Sequence, residues 1–313
     1  MISKNQSIKN LHSLFKLSLK RVIYRYGKSG LLPALIHVFY LLFFHESKAQ
    51  QQPLQTMFWN HYSVYNPGAT GVNNTYYAAS SSRLQWAKLN RRPITQMLLF
   101  DYKIAKIKSG IGVNYTYDQL GYQASNNFNL NYAYHLHLNK DKILSAGVSF
   151  GYEKIAVDYT ALNALTLNDP NITVSQNFSL FNLGTGLLYQ SPHLLIGLSA
   201  AQINQYRDSN FKNVRHLYFC SVGTFNLNAK FQLKPAIYFR HTDVASLLEA
   251  NIRTVYLKKY WFGSSFRVNN SLSFMAGIDI KEKYRISYAY DYFKFNFINP
   301  GATHEIGLVL MLK

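Results

Sequence analysis

The chain carries a single cysteine, Cys220, so no internal disulfide can staple a small fold together. Charge is scarce: Lys, Arg, Asp and Glu supply 15% of the 313 residues, against ~25% in soluble domains. Acids are scarcer than bases, 14 against 33. Long apolar runs are missing as well. The one stretch that approaches bilayer length, residues 30–44, has 15 residues where a spanning helix needs ~20, which excludes a helical transporter. Aromatics, by contrast, are plentiful. With 25 Tyr and 21 Phe they reach 16%, far above what a disordered chain carries. Low charge with abundant Tyr, Phe, Gly and Asn points to many strands that face two different solvents.

The formal charge of +19 raises nucleic acid as a partner, but its distribution argues against one. Eight of the bases and one acid, Glu46, lie within residues 1–49, and the remaining bases are scattered singly or in pairs such as Arg91-Arg92. No basic helix, finger or RNA-binding motif accompanies them, so no nucleic-acid partner is expected. Residues 1–49 read instead as a signal peptide: a long basic region to Lys28, the apolar run, then Ser47-Lys48-Ala49 with small residues at the cleavage positions. Cleavage is expected after about Ala49. Residues 50–74 would then form an N-terminal segment that lies in the periplasm or plugs a lumen, and 75–313 the main body.

From residue 75 onward the sequence alternates. In Phe128–Leu138 the even positions are Phe128, Leu130, Tyr132, Tyr134, Leu136 and Leu138, and the odd ones Asn129, Asn131, Ala133, His135 and His137. Period two over such a length is a strand with one apolar and one polar face. Fourteen such runs are expected, at 75–86, 94–104, 107–118, 124–138, 142–157, 178–190, 193–203, 214–227, 230–242, 246–257, 259–268, 271–280, 283–292 and 302–312. Most have about ten residues, the length a tilted strand needs to cross a bilayer. Their connections tend to alternate between tight turns, such as Ala105-Lys106 and Lys281-Glu282, and longer loops such as 87–93 and 159–177. Short turns on one rim and long loops on the other define an antiparallel transmembrane β-barrel of the outer membrane in a Gram-negative bacterium, all-β and about 14 strands. Charges on the polar faces, among them Arg83, Arg253, Arg267, Arg285, Asp279, Asp291 and Glu305, should point into the lumen, because a lipid-facing Arg costs ~2–4 kcal/mol at mid-bilayer.

No enzyme signature is present. His304-Glu305 lacks the second His of a zinc-protease helix, no Gly-x-Ser-x-Gly elbow occurs, and His135 with His137 has no third metal ligand in register. Gly110-Ile111-Gly112 and Gly184-Thr185-Gly186 lie within strands, where they ease curvature or close packing rather than bind phosphate.

Several motifs recur in a recognisable order: Gln52-Pro53, Met57-Phe58, Asn66-Pro67-Gly68-Ala69-Thr70-Gly71, Arg83-Leu84-Gln85-Trp86, Asp118-Gln119-Leu120-Gly121, Asp169-Pro170, Trp261-Phe262-Gly263, Phe266-Arg267, Tyr288-Ala289-Tyr290-Asp291 and Thr303-His304-Glu305-Ile306. Over residues 50–313 this set resembles the PorP/SprF family of type IX secretion system outer-membrane proteins. The resemblance implies a non-enzymatic role in protein secretion and gliding motility, supporting export or surface attachment of adhesins or other proteins with C-terminal sorting domains. It implies no cofactor. Its partners would be secretion-system components, a secreted adhesin or sorted protein, and outer-membrane lipid. The candidate partner or family-motif positions are Asn66, Pro67, Gly71, Arg83, Gln85, Trp86, Asp118, Gly121, Asp169, Pro170, Arg267, Asp291, His304 and Glu305. A channel for a small or apolar solute is the alternative function.

Overall fold

The computed structural model describes residues 53, 55–158, 176–204, 214–243, 245–268, 271–293 and 300–312. Among them are fourteen strands: β1 (Tyr76–Leu84), β2 (Ile94–Ile104), β3 (Ser109–Leu120), β4 (Gln123–His137), β5 (Ile143–Val157), β6 (Gln176–Gln190), β7 (Leu194–Ala201), β8 (His216–Gly223, resumed at Phe225–Asn226), β9 (Phe231–Thr242), β10 (Ser246–Tyr256), β11 (Tyr260–Arg267), β12 (Ser271–Ile280), β13 (Tyr284–Phe293) and β14 (Thr303–Leu312). Each pairs antiparallel with the next, and β14 returns to β1 with Tyr76 opposite Leu312 and Arg83 opposite Glu305. The sheet therefore closes on itself and leaves no unpaired edge, as a wall surrounded by hydrocarbon requires.

The faces are inverted relative to a soluble protein. Along β4, Phe128, Leu130, Tyr132, Tyr134 and Leu136 are exposed, whereas Asn131 and His135 are buried at 5% and 1%. The same inversion holds on β13, where Tyr288, Tyr290 and Tyr292 are exposed while Ser287 and Asp291 are buried. Apolar-out and polar-in is stable only where the outside is hydrocarbon and the inside is filled with polar partners.

Two departures from the expected pattern have local causes. The run 214–227 is broken at Thr224, because Pro235 stands in register with Gly223 across the β8–β9 ladder and has no N–H to donate. The turn at Ala105-Lys106 is longer than expected: a 3-10 turn over Ala105–Ile107 leads to Lys108 in the left-handed region at φ 52°. Two other hairpins turn through three residues, the first two at positive φ, Leu257-Lys258 and Lys281-Glu282.

Residues 55–72 do not stay outside the barrel. They run through its interior as three short helical turns, Phe58–His61, Tyr62–Tyr65 and Pro67–Ala69, and touch inward side chains from nearly every strand. The barrel interior is thereby divided. A cavity of about 100 Å³ lies toward the long-loop rim, lined by Asp118, Asn127, Asn129, Glu153 and Gln202. Another of about 530 Å³ lies toward the short-turn rim.

Candidate functional site

The internal segment begins at a chain of charges. Arg83 on β1 and Glu305 on β14 are direct cross-strand neighbours, as are Glu249 on β10 and Arg267 on β11. Arg83 reaches Glu305 at 2.9 Å and, across β14, Asp291 on β13 at 2.5 Å. Arg267 grips Glu249 at 2.7 Å and approaches Asp291 at 3.8 Å. All five side chains are essentially inaccessible to solvent. Two bases against three acids leave acceptor capacity over, and the segment fills it. The backbone N–H groups of Thr56 and Met57 donate to the two oxygens of Glu305 at 2.8 and 3.0 Å, and the Thr56 hydroxyl donates to Asp291. Arg83 in turn donates to Thr56 Oγ1 at 2.8 Å. Charge-assisted bonds of this kind are about twice as strong as neutral ones, so the cluster is a latch whose last members belong to the segment.

Aromatic packing follows the latch. Phe58 stacks on Tyr238 at 4.8 Å, and Trp59 meets Trp261 edge-on at 6.0 Å. The Arg253 guanidinium lies 3.8 Å over the Trp59 ring. Asn60 accepts from Arg285 and donates to Ser287, while its carbonyl oxygen accepts from the Tyr77 hydroxyl. His61 is wholly buried with neither ring nitrogen bonded, and burial pulls its pKa down to about 3.

The second part of the segment is held differently. Asn66 caps the last helical turn by accepting from the Gly68 N–H at 2.9 Å, and its amide donates to the Leu187 carbonyl oxygen on β6 at 2.9 Å. Asn131 and Ser199 donate to the carbonyls of Ser63 and Tyr65. Between these bonds the backbone lies against inward glycines. A Cβ at Gly110 would collide with the Thr70 carbonyl, one at Gly147 with the Pro67–Gly68 peptide, and one at Gly186 with the Asn66 side chain. Gly71 has φ +68° and its own Cβ would strike Gly110. Gly68 is tight as well: a Cβ there would sit 3.0 Å from both Asn66 Oδ1 and the Gly186 carbonyl oxygen.

The sequence-expected positions thus separate. Asn66, Pro67 and Gly71 form the glycine-bedded end, and Arg83, Arg267, Asp291 and Glu305 form the latch. Gln85 and Trp86 stand at the start of the β1–β2 loop, where Gln85 N–H donates to the Pro93 carbonyl and Trp86 N–H to Thr303 Oγ1. Asp118 accepts from Thr95 at 2.6 Å beside the cavity at the long-loop rim, and Gly121 sits in an open turn at φ +61°. His304 faces the opposite side of β14 from Glu305 and bonds the Tyr288 hydroxyl at 2.7 Å. Asp169 and Pro170 lie outside the described residues. Thr56 and Glu249 complete the latch without belonging to the motif set. For Glu249 the signal was available, since Glu249, Asn251 and Arg253 alternate with Leu248, Ala250 and Ile252. Cys220 is buried among the inward side chains, and among the described residues no group of three or more His, Cys, Asp or Glu is placed to share a metal ion.

A closed sheet with an apolar exterior, a charged interior and an internal strap defines an outer-membrane β-barrel with an occupied lumen. The chain belongs to the PorP/SprF family of type IX secretion system membrane proteins, whose family model matches residues 47–310. A search of curated proteins finds no match. Among solved structures, the outer membrane protein Omp33 of Acinetobacter baumannii is similar over 78% of this chain and 100% of its own, at 10% identity and a TM-score of 0.47. The Ralstonia pickettii toluene transporter TbuX is similar over 79% of this chain and 92% of its own, at 11% identity and a TM-score of 0.48.

Proposed function

We propose that this chain is a docking barrel of the type IX secretion and gliding machinery, exported with removal of residues 1–49, whose residues 50–74 serve as a built-in plug. It supports export or surface attachment of an adhesin or another protein with a C-terminal sorting domain, through contacts with that protein and with secretion-system components, and performs no catalysis. The observation that carries the reading is the filled lumen in a member of this family. A barrel that moved solutes by diffusion would gain nothing from a strap bonded to its wall at both ends, whereas a barrel that serves as a rigid platform gains a single fixed shape. The long-loop rim is the surface proposed to meet the exported protein.

The test is a comparative secretome and surface proteome of a strain lacking this chain. Loss of one large adhesin from the surface assigns a dedicated substrate partner. Accumulation of the whole sorted cohort in the periplasm assigns a place in the core machine. An unchanged surface overturns the secretion reading.

A further inference from the structure

We infer that the cavity at the short-turn rim is a binding site for a compact oxyanion, a carboxylate or phosphate group, held by Arg253 and Lys234. This inference does not depend on the secretion reading. The cavity, about 530 Å³, reaches the rim at Ser191-Pro192 and Asn73-Asn74, and its inner wall includes Trp59, Lys234, Arg253 and Arg285.

Of the three cationic side chains on its inner wall, only Arg285 has a carboxylate partner among the described residues, although acceptors such as Asp101 and Gln190 also line the cavity. Arg253 is 8% exposed, and its Nε has no hydrogen-bond partner. The Trp59 indole N–H, buried directly beneath the guanidinium, has none either. Lys234 stands directly opposite Arg253 in the β9–β10 register and lines the same cavity. Like charges placed opposite one another in a sheet repel, and a buried guanidinium is ordinarily paired with an acid. The neighbouring carboxylates are engaged elsewhere. Asp279 is held by two 2.7 Å bonds from Arg285, and Asp101, on the far wall, accepts from Ser63.

An oxyanion entering from the rim would accept from the outer N–H groups of the Arg253 guanidinium and from the Lys234 ammonium at once and remove the repulsion between them. The geometry suits a small, strongly accepting group: the Trp59 face is already covered by Arg253, so a ligand aromatic ring has no exposed partner there.

The experiment uses the purified full chain in detergent micelles, titrated calorimetrically and by tryptophan fluorescence with inorganic phosphate and with two capped pentapeptides, Gly-Gly-Glu-Gly-Gly and its Gln counterpart. Binding of phosphate, of the Glu peptide, or of both in competition, weakened by salt and absent for the Gln peptide, is expected. Phosphate alone assigns a free anion; the Glu peptide assigns a carboxylate on a chain. Arg253→Gln should weaken binding by about tenfold or more, as for loss of a charged hydrogen bond, and Lys234→Gln by somewhat less. Lys106→Gln, in an exposed turn, should leave it unchanged. If Arg253→Gln does not fold, Lys234→Gln decides alone. Absence of binding by both phosphate and the Glu peptide, or binding indifferent to these substitutions, overturns the site.

Discussion

The two ends of the internal segment are fixed by opposite means. At Thr56–Met57 the wall supplies charge, and the segment supplies the donors that complete a buried cluster of two bases and three acids. At Asn66–Gly71 the wall supplies empty space, because Gly110 and Gly147 let backbone touch backbone and Gly186 leaves room for the Asn66 side chain. The first end is selective in chemistry, since a buried charge tolerates few substitutes. The second is selective in volume, since any side chain on those glycines would occupy the segment's own place. One strap therefore reports on two kinds of complementarity within the same barrel.

The largest expected effect comes from removing the comparison altogether. Deletion of residues 55–72 should turn a barrel with little conductance in planar bilayers into one with steady open steps; an unchanged trace would mean that the segment does not obstruct the lumen. Next is the charged end. Arg83→Met leaves Asp291 and Glu305 short of a partner, and loss of one member of a buried ion pair costs ~3–5 kcal/mol, read as a lower urea midpoint in lipid vesicles. A midpoint within error of the parent would show that the cluster rearranges freely.

The space-limited end should respond less steeply. Gly110→Val forces the Thr70–Gly71 backbone away, at the ~1–3 kcal/mol typical of overpacking, and should raise proteolytic cleavage within 66–71 while leaving the strands protected. Equal protection in parent and variant would break the distinction drawn here. A pH titration sharpens it from the other side. His61 is neutral in the folded lumen because burial lowers its pKa to about 3, below its ordinary 6.5. The opened state then binds the extra proton, so the seated segment is unaffected above pH 6.5 and loses stability as pH falls below it, by ~1.4 kcal/mol per unit at most. His61→Leu should flatten the profile between pH 6.5 and 5, as measured by protection of the segment from protease.

The smallest effect lies outside both ends. Leu257 and Lys258, the first two residues of a three-residue hairpin turn, both have positive φ, so Leu257→Asn with Lys258→Gly should raise the thermal midpoint by the equivalent of ~0.5–1 kcal/mol without altering the seating of the segment.

Much of the wall could be read from the chain because a strand's side-chain period is two, and a barrel imposes the same inside-outside alternation on every strand. The runs 94–104 and 271–280 coincide with β2 and β12, and the inward placement of Arg83, Arg267, Asp291 and Glu305 follows from the alternation alone. The break at Thr224 was less legible, since it depends on Pro235 falling opposite Gly223, a matter of register between two strands. Asn66-Pro67-Gly68 announced a turn, but nothing local tells that Gly147 and Gly186 lie against it, more than 75 residues away. Asp118, Gly121 and His304 share the motif set without sharing the site, because sequence order carries no distance across a barrel.

The sequence by itself determined the strands, their two faces and the closure into a membrane barrel, because those follow from a periodicity that each segment carries alone. Only the tertiary structure decided which charges meet, where the strap sits and which donors are left facing the short-turn rim. Those depend on the shear and register that bring β1, β10, β11, β13 and β14 to one level of the lumen, and on a strap whose place is set by the space that distant glycines leave open.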